Sequence, residues 1–316
     1  MVIPCFNAAP WLGTALASVA AQHVPAREVI VIDDGSTDGS SSILRRSSFP
    51  VTLLRTPHLG GAAARNAGLQ AATSEWVAFL DADDQWYPTH LERAEHILAE
   101  SDDSALLNHF DHLTLDGKIK DRSCVWQLAE PATGLSAQDF LSGPFVQTTA
   151  CVVRRKAALA IGGFDPSQKR RHDLDFWLRL IARGTWSFDP VPTSAYRVGV
   201  PESLSSDQPN AQYYRLRAYI KNRRLHRSAA MDRCILRSAR RAMAVAFTDG
   251  TPNDILRAEE LAFSWLAAQD RLVFSAARVF PSGFRTLNRI RRNLLTGKRR
   301  SNSDRMTISQ SRSFPE

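Results

Sequence analysis

Three carboxylates within four positions, Asp81, Asp83 and Asp84, follow directly on an apolar run, Trp76-Val77-Ala78-Phe79-Leu80. The run has the length and composition of a buried strand. Carboxylates at the carboxyl end of such a strand lie where open α/β sheets bind ligands. Three of them repel one another unless a cation joins them. Oxygen donors without Cys or His suit Mg2+ or Mn2+, which bridge to the phosphates of a substrate. A solvated acidic turn accounts for the same residues, because Asp favours turns. A second acidic pair, Asp33-Asp34, ends the apolar run Glu28-Val29-Ile30-Val31-Ile32. Another acid, Asp173, opens a stretch in which Leu174, Trp177, Leu178 and Ile181 share a helical face. Taken alone, Asp173 reads as a helix cap, worth about 1 kcal/mol.

The elements that must hold these acids alternate in type. Val2 to Asn7 predicts the end of a first strand, short by several residues, with a turn at Phe6-Asn7. Leu12, Leu16 and Val19 predict a helix over 10–22, with Pro10 in its first turn. After the 28–32 strand, Gly35-Ser36-Thr37-Asp38-Gly39-Ser40 opens a helix. A third strand is predicted at 51–54. Small residues from Gly60 to Gly68 then open a helix, where they either leave amides free for an anion or allow tight packing. Beyond the 76–80 strand come a helix at 90–100, apolar pieces at 105–107 and 113–115, an irregular segment at 118–135, a strand at 148–153 and a helix at 155–161. A Gly162-Gly163 turn and a basic loop, Lys169 to His172, precede the 173–180 helix. Strands that alternate with helices and end in polar residues predict an α/β fold with a mostly parallel sheet. No G-x-G-x-x-G follows the first strand, which argues against a dinucleotide oxidoreductase.

The chain has 316 residues, 44% of them hydrophobic, enough for one large domain and an appendage. Its formal charge of +8 is uneven: residues 1–207 carry 18 basic and 24 acidic side chains, residues 208–316 carry 22 and 8. That break predicts a boundary near 207. The region 208–300 is predicted to be helical and basic, interrupted at 247–252, and the polar 301–316 tail to be disordered. Basic helices of this kind either lie on an anionic membrane surface or pack on the larger domain. Nucleic acid is not an expected partner, since no binding motif accompanies the charge. The four cysteines, Cys5, Cys124, Cys151 and Cys234, form no CxxC pair. With no run of about 20 apolar residues, they predict reduced thiols in a cytoplasmic protein, at most peripheral on the inner face of the membrane.

Taken in order, Pro4 to Asn7, Val31 to Asp38, Ala63 to Gly68, Phe79 to Asp84, Gly162 to Asp165, Asp173 to Leu180 and Tyr196-Arg197 resemble the family 2 glycosyltransferases. The matching pieces cover residues 2–205. The resemblance implies the GT-A nucleotide-diphospho-sugar transferase fold over 1–207, a mostly parallel central sheet flanked by helices, with a C-terminal helical extension. It also implies an inverting, metal-dependent enzyme that moves a sugar from a nucleotide-sugar, a UDP-sugar above all, to a hydroxyl on a glycan or lipid-linked acceptor. Phe6 would stack on the base, with Pro4 and Asn7 beside it, and Asp34 would hydrogen-bond the base. Arg65 would stand near base or diphosphate, Asp81 would contact the ribose with Ala82 alongside, and Asp83 would bind Mn2+ or Mg2+. Asp173 would be the general base, which reverses the cap reading. Two positions depart from the pattern: His172 stands where relatives commonly have Glu, and Gly199 where many have His. On those departures and the short first strand rests the rival expectation, a catalytically silent binding or scaffold protein with a GT-A core, held at a membrane surface by its basic helices.

Overall fold

The structure, a computed structural model, describes residues 1–47, 50–99, 101–120, 128, 130–142, 146–200 and 208–279. The 301–316 tail and Cys124 lie outside the described residues. The chain divides into two compact units, Met1–Ile235 and Leu236 onward. The predicted boundary at 207 thus falls inside the first unit.

The first half of unit 1 alternates strand and helix: β1 (Val2–Cys5), α1 (Ala9–Ala20), β2 (Ile30–Asp33), α2 (Ser40–Arg45), β3 (Thr52–Arg55), α3 (Gly61–Ala71) and β4 (Trp76–Phe79). Next come β5 (Gln85–Trp86), α4 (His90–Ala99), β6 (Ala105–Leu113), β7 (Ile119–Lys120), β8 (Ala132–Leu135) and α5 (Ala137–Ser142). A 3-10 turn (Thr148–Ala150) leads to β9 (Cys151–Arg154), α6 (Arg155–Ala160), α7 (His172–Ile181), β10 (Trp186–Arg197) and α8 (Gln208–Asn222). Helix α9 (Ala229–Asp249) runs on into unit 2. There the 247–252 interruption becomes the boundary before α10 (Pro252–Ala262), whose Thr251 and Asp254 form a reciprocal capping box. Helix α11 (Ala268–Val279) is the last described element.

The sheet order is β3-β2-β1-β4-β9-β6-β10-β5, with β7 on β6 and β8 on β10. It is mostly parallel, from β3 through β4 and again between β6 and β10, while β9 runs antiparallel to both its neighbours. Two predicted pieces differ. The strand expected from 148 begins at Cys151, because 148–150 closes into a 3-10 turn. The 105–107 piece and Leu113 belong to one nine-residue strand, β6, whose polar Asn108, His109 and Asp111 are buried, while Thr114 and Leu115 lie beyond its end.

One local detail opens the sheet for a ligand. The carbonyls of Met1 and Cys5 face β2, accepting from Ile30 and Asp34, while that of Val2 faces β4, accepting from Leu80. The missing N–H of Pro4 therefore points to the β4 side, past the last β1–β4 partner pair, Val2↔Phe79. A proline is tolerated there because the ladder has already ended. The two strands part beyond the bond from Leu80 N–H to the Val2 carbonyl.

Helix α8 is tied to unit 1 through α7. Asp175, fully buried, takes Arg179 Nε on Oδ2 at 2.9 Å, and Asn222 Nδ2 and Lys221 Nζ on Oδ1, each at 2.9 Å. The His226 ring meets the Leu178 carbonyl at 2.6 Å, and Gln168 Nε2 donates to the Tyr214 carbonyl at 2.6 Å. Asp175→Ala leaves two cations and an amide without their common acceptor. It should cost about 2–4 kcal/mol, read as a lower urea midpoint at unchanged slope.

Candidate active site

The turn after β1 is held by side chains from the loop after β2. Asn7 sits at φ +47, and its Oδ1 accepts the Thr37 N–H at 2.9 Å. The N–H groups of Asn7, Ala8 and Ala9 donate to Ser36 Oγ, Ser40 Oγ and Asp38 Oδ2 at 3.0, 3.0 and 2.9 Å. So the Gly-Ser-Thr-Asp-Gly-Ser stretch, expected to open α2, also caps the N-terminus of α1 from a distance. That cap presents Phe6, which is 45% exposed, with the His58 ring 4.1 Å from its own.

Asp34, buried, organises the next wall. Its Oδ1 accepts the Thr56 hydroxyl at 2.6 Å and the Leu59 N–H at 2.7 Å, and its Oδ2 accepts the Gly60 N–H at 2.7 Å. Gly60, at φ +92, is the N-cap of α3. The two roles weighed for the glycines divide by position. Gly61 lines the cavity, whereas a Cβ on Gly68 would lie 2.4 Å from Val2 Cγ1, so Gly68 serves helix–sheet packing.

The acidic cluster also divides. Asp84 is buried, its Oδ1 accepting the Arg197 N–H at 2.7 Å, and does not line the cavity. Burial together with the charges of Asp83 and Asp81 pushes its carboxyl well above the ordinary range. Asp81 pairs with Arg65 Nη2 and donates its N–H to Thr149 Oγ1 at 2.9 Å. The Asp83 carboxylate takes no side-chain hydrogen bond among the described residues. Burial, then the charge of Asp81, raises its pKa to about 6. These are not the properties of a solvated acidic turn. Arg197 braces the cluster from behind: Nε donates to the Asp83 carbonyl at 2.7 Å, and the guanidinium lies 4.2 Å from the Trp11 ring.

His172, expected in a basic loop, is buried, and its Nε2 lies 2.8 Å from Arg65 Nη1. Arg65 is itself buried and lies 5.8 Å over the Phe164 ring. Phe164 is placed by Asn66, whose side-chain amide both accepts its N–H and donates to its carbonyl, each at 2.7 Å. Gly163 is required there, because a Cβ would come within 2.3 Å of Asn66 Oδ1. Gly199 stands at φ +83, a conformation that a histidine rarely adopts.

Asp173 lies in the first turn of α7 and is not its N-cap. That place is taken by Arg171 in left-handed backbone, without a side-chain cap. Asp173 Oδ1 accepts the N–H of Leu174 at 2.8 Å.

All nine residues singled out beforehand, Pro4, Phe6, Asn7, Asp34, Arg65, Asp81, Ala82, Asp83 and Asp173, line one cavity of about 740 Å3. It also takes in Trp11, His58, Gln147, Thr148, His172 and Tyr196. Of these, Trp11, His58 and Gln147 belong to no motif of the sequence; Trp11 lies against Arg197 and His58 against Phe6.

Among the described residues no group of three or more carboxylates, imidazoles or thiols is arranged around a metal. A hard cation needs less from the protein, often one or two carboxylates with substrate oxygens completing the shell. Asp83, half-buried and without a side-chain partner among the described residues, fits that role. No helix among the described residues is long and apolar enough to cross a membrane.

The model of the family named Glycosyl transferase family 2 matches residues 1–162. An uncharacterized glycosyltransferase of Nostoc, alr2836, is 31% identical over 54% of this chain and 55% of its own, so the chain spans about half the length of that relative. The putative teichuronic acid biosynthesis glycosyltransferase TuaG of Bacillus subtilis is 28% identical over 72% of this chain and 88% of its own. Staphylococcus aureus TarS (residues 1–349), solved with UDP-GlcNAc, superposes with a TM-score of 0.68 at 18% identity, covering 92% of this chain and 90% of that one. The fold is the mixed α/β GT-A fold, and with a family model covering half its length the chain belongs to glycosyl transferase family 2.

Proposed function

We propose that this protein is an inverting glycosyltransferase that moves a sugar from a UDP-sugar to a hydroxyl group of a glycan or lipid-linked acceptor, in cell-envelope polysaccharide synthesis on the cytoplasmic side of the membrane. The observation that carries the reading is the convergence of the nine residues on one cavity, with Asp83 and Asp173 both in its lining. Phe6 offers an exposed ring for the base. Asp34 favours a uracil. Each carboxylate oxygen accepts about two hydrogen bonds, Oδ1 already takes two and Oδ2 one, so one position is left. The single N3–H of uracil fills it, whereas the two adjacent donors of guanine would need both oxygens.

Asp173 removes the proton of the acceptor hydroxyl as its oxygen bonds the anomeric carbon. The bond from that carbon to the diphosphate breaks on the opposite face, and UDP leaves with the electron pair, inverting the centre. Mn2+ or Mg2+ held at Asp83 would supply Lewis-acid neutralisation of the leaving diphosphate. The scaffold reading drew on His172 as a departure. The ring is a buried partner of Arg65, so the observations favour the enzyme.

Thermal unfolding with UDP, GDP and CDP, each with and without Mn2+, tests the donor. A ligand at 100 times its Kd adds about 2.7 kcal/mol of stability. A shift with UDP that needs Mn2+ is the expected outcome. An equal shift with GDP would overturn the Asp34 argument, and no shift with any nucleotide would favour the scaffold.

A further inference from the structure

Arg65 joins the donor-side acid Asp81 to the start of the helix carrying Asp173, and it does so through His172. Its Nη2 holds Asp81, and its Nη1 reaches both the Gly61 carbonyl at 3.3 Å and His172 Nε2 at 2.8 Å. A guanidinium can only donate, so Nε2 must be the acceptor. The proton of the ring then sits on Nδ1, and the imidazole is neutral. The Phe164 ring stands edge-on to the imidazole at 6.0 Å, closing that side with an apolar surface. Arg65, Asp81, Asp173 and Asp175 are the charges that act on the ring, and burial followed by Arg65 lowers its pKa to about 4.

We propose that His172 is a positioning residue: a neutral acceptor that fixes Arg65 between Asp81 and the first turn of α7, so that the guanidinium is neutralised by one carboxylate and not by two. This rests on the reading of the cavity as a nucleotide-sugar site. A glutamate at 172 would also accept from Arg65, but it would add a full negative charge to a pocket that takes a diphosphate. Histidine satisfies the same donor without that charge. The sequence departure that counted against activity thereby becomes a way of setting the charge of the site.

Two measurements test this. In the first, nitrogen NMR of the wild-type protein with labelled histidines, assigned with His172→Gln, should show Nε2 unprotonated and the ring neutral from pH 8 to 5. A ring that titrates near 6.5 would overturn the proposal. In the second, UDP affinity in Mn2+ is measured by calorimetry for wild type, His172→Gln and His172→Glu, alongside melting temperature. The glutamine retains a neutral acceptor and should bind within about threefold. The glutamate should bind about tenfold more weakly at a melting temperature no lower than that of wild type, as expected for one added charge several ångströms away. A purely structural role would penalise both variants together and lower both melting temperatures. Equal affinities for wild type and His172→Glu would overturn the charge argument. If wild type binds no nucleotide while the NMR pattern holds, the site assignment fails and the donor half of the proposal with it, while the Arg65–His172 hydrogen bond stands.

Discussion

In Asp173→Asn, sugar transfer should fall by about 10^2- to 10^4-fold while UDP binding stays within about threefold. The asymmetry follows from where the residue sits. A base acts on the acceptor hydroxyl and only in the transition state, so its loss lowers kcat and kcat/KM together and leaves the ground-state complex intact. The substitution is also structurally mild. Among the described residues Oδ1 accepts one hydrogen bond, from the N–H of Leu174, and an asparagine oxygen accepts it equally well. What is lost from the fold is a negative charge in the first turn of α7, worth about 0.3–1 kcal/mol against the helix dipole. Single-turnover transfer, UDP calorimetry and a melting curve separate these effects. Full activity in the variant would return Asp173 to a first-turn acid and remove the inverting mechanism with it. Loss of binding in parallel with activity would instead mean that the carboxylate contacts the donor.

The parts of this molecule that were legible in the sequence are those whose signal is local. Apolar runs of four or five residues that end in Asp33-Asp34 and Asp81 to Asp84 gave both the strands and the face on which a ligand would sit. The motif at 173–180 gave its helix for the same reason. What the sequence concealed depends on contacts across tens of positions. Three clustered carboxylates look equivalent, yet the Arg197 N–H draws Asp84 inward and Arg65 claims Asp81, which leaves Asp83 without a side-chain partner among the described residues. The Asn66 clamp on Phe164 spans 98 positions, and no pattern within either segment predicts it.

One error of segmentation comes from buried polar groups that break an apolar pattern. In β6 the residues that broke it, Asn108 and Asp111, are paired inside the fold: Asn108 with Asp189, which also holds Arg93, and Asp111 with the Tyr87 hydroxyl. The charge break at 207 likewise marks a change of surface and not of packing. Lys221 and Asn222, in the basic half, complete the shell of the buried Asp175 in the acidic half. The compact unit that holds Asp175 runs past the charge break, to Ile235.

Asp83→Asn should abolish metal-dependent turnover and, in the absence of metal, make the protein more stable. Both follow from one property, a carboxylate held in a buried setting against the charge of Asp81. In the folded protein its pKa stands near 6, above the ordinary value of 3.8, so at neutral pH the folded state carries a charge that it disfavours relative to the unfolded chain. That cost is present in full above about pH 6, declines as pH falls through 6, and is gone below about 3.8. The asparagine removes it. With a chelator at pH 7.5 the variant should gain on the order of 1–2 kcal/mol, a few degrees in melting temperature, and at pH 4 the gain should vanish. With UDP and Mn2+ the order reverses: wild type gains stability by binding and the variant does not. A carboxylate that serves only as a turn residue would show neither the pH-dependent gain nor the reversal. The residue would then be costing the fold stability at neutral pH for the sake of a cation, the usual balance at a site where function and stability compete.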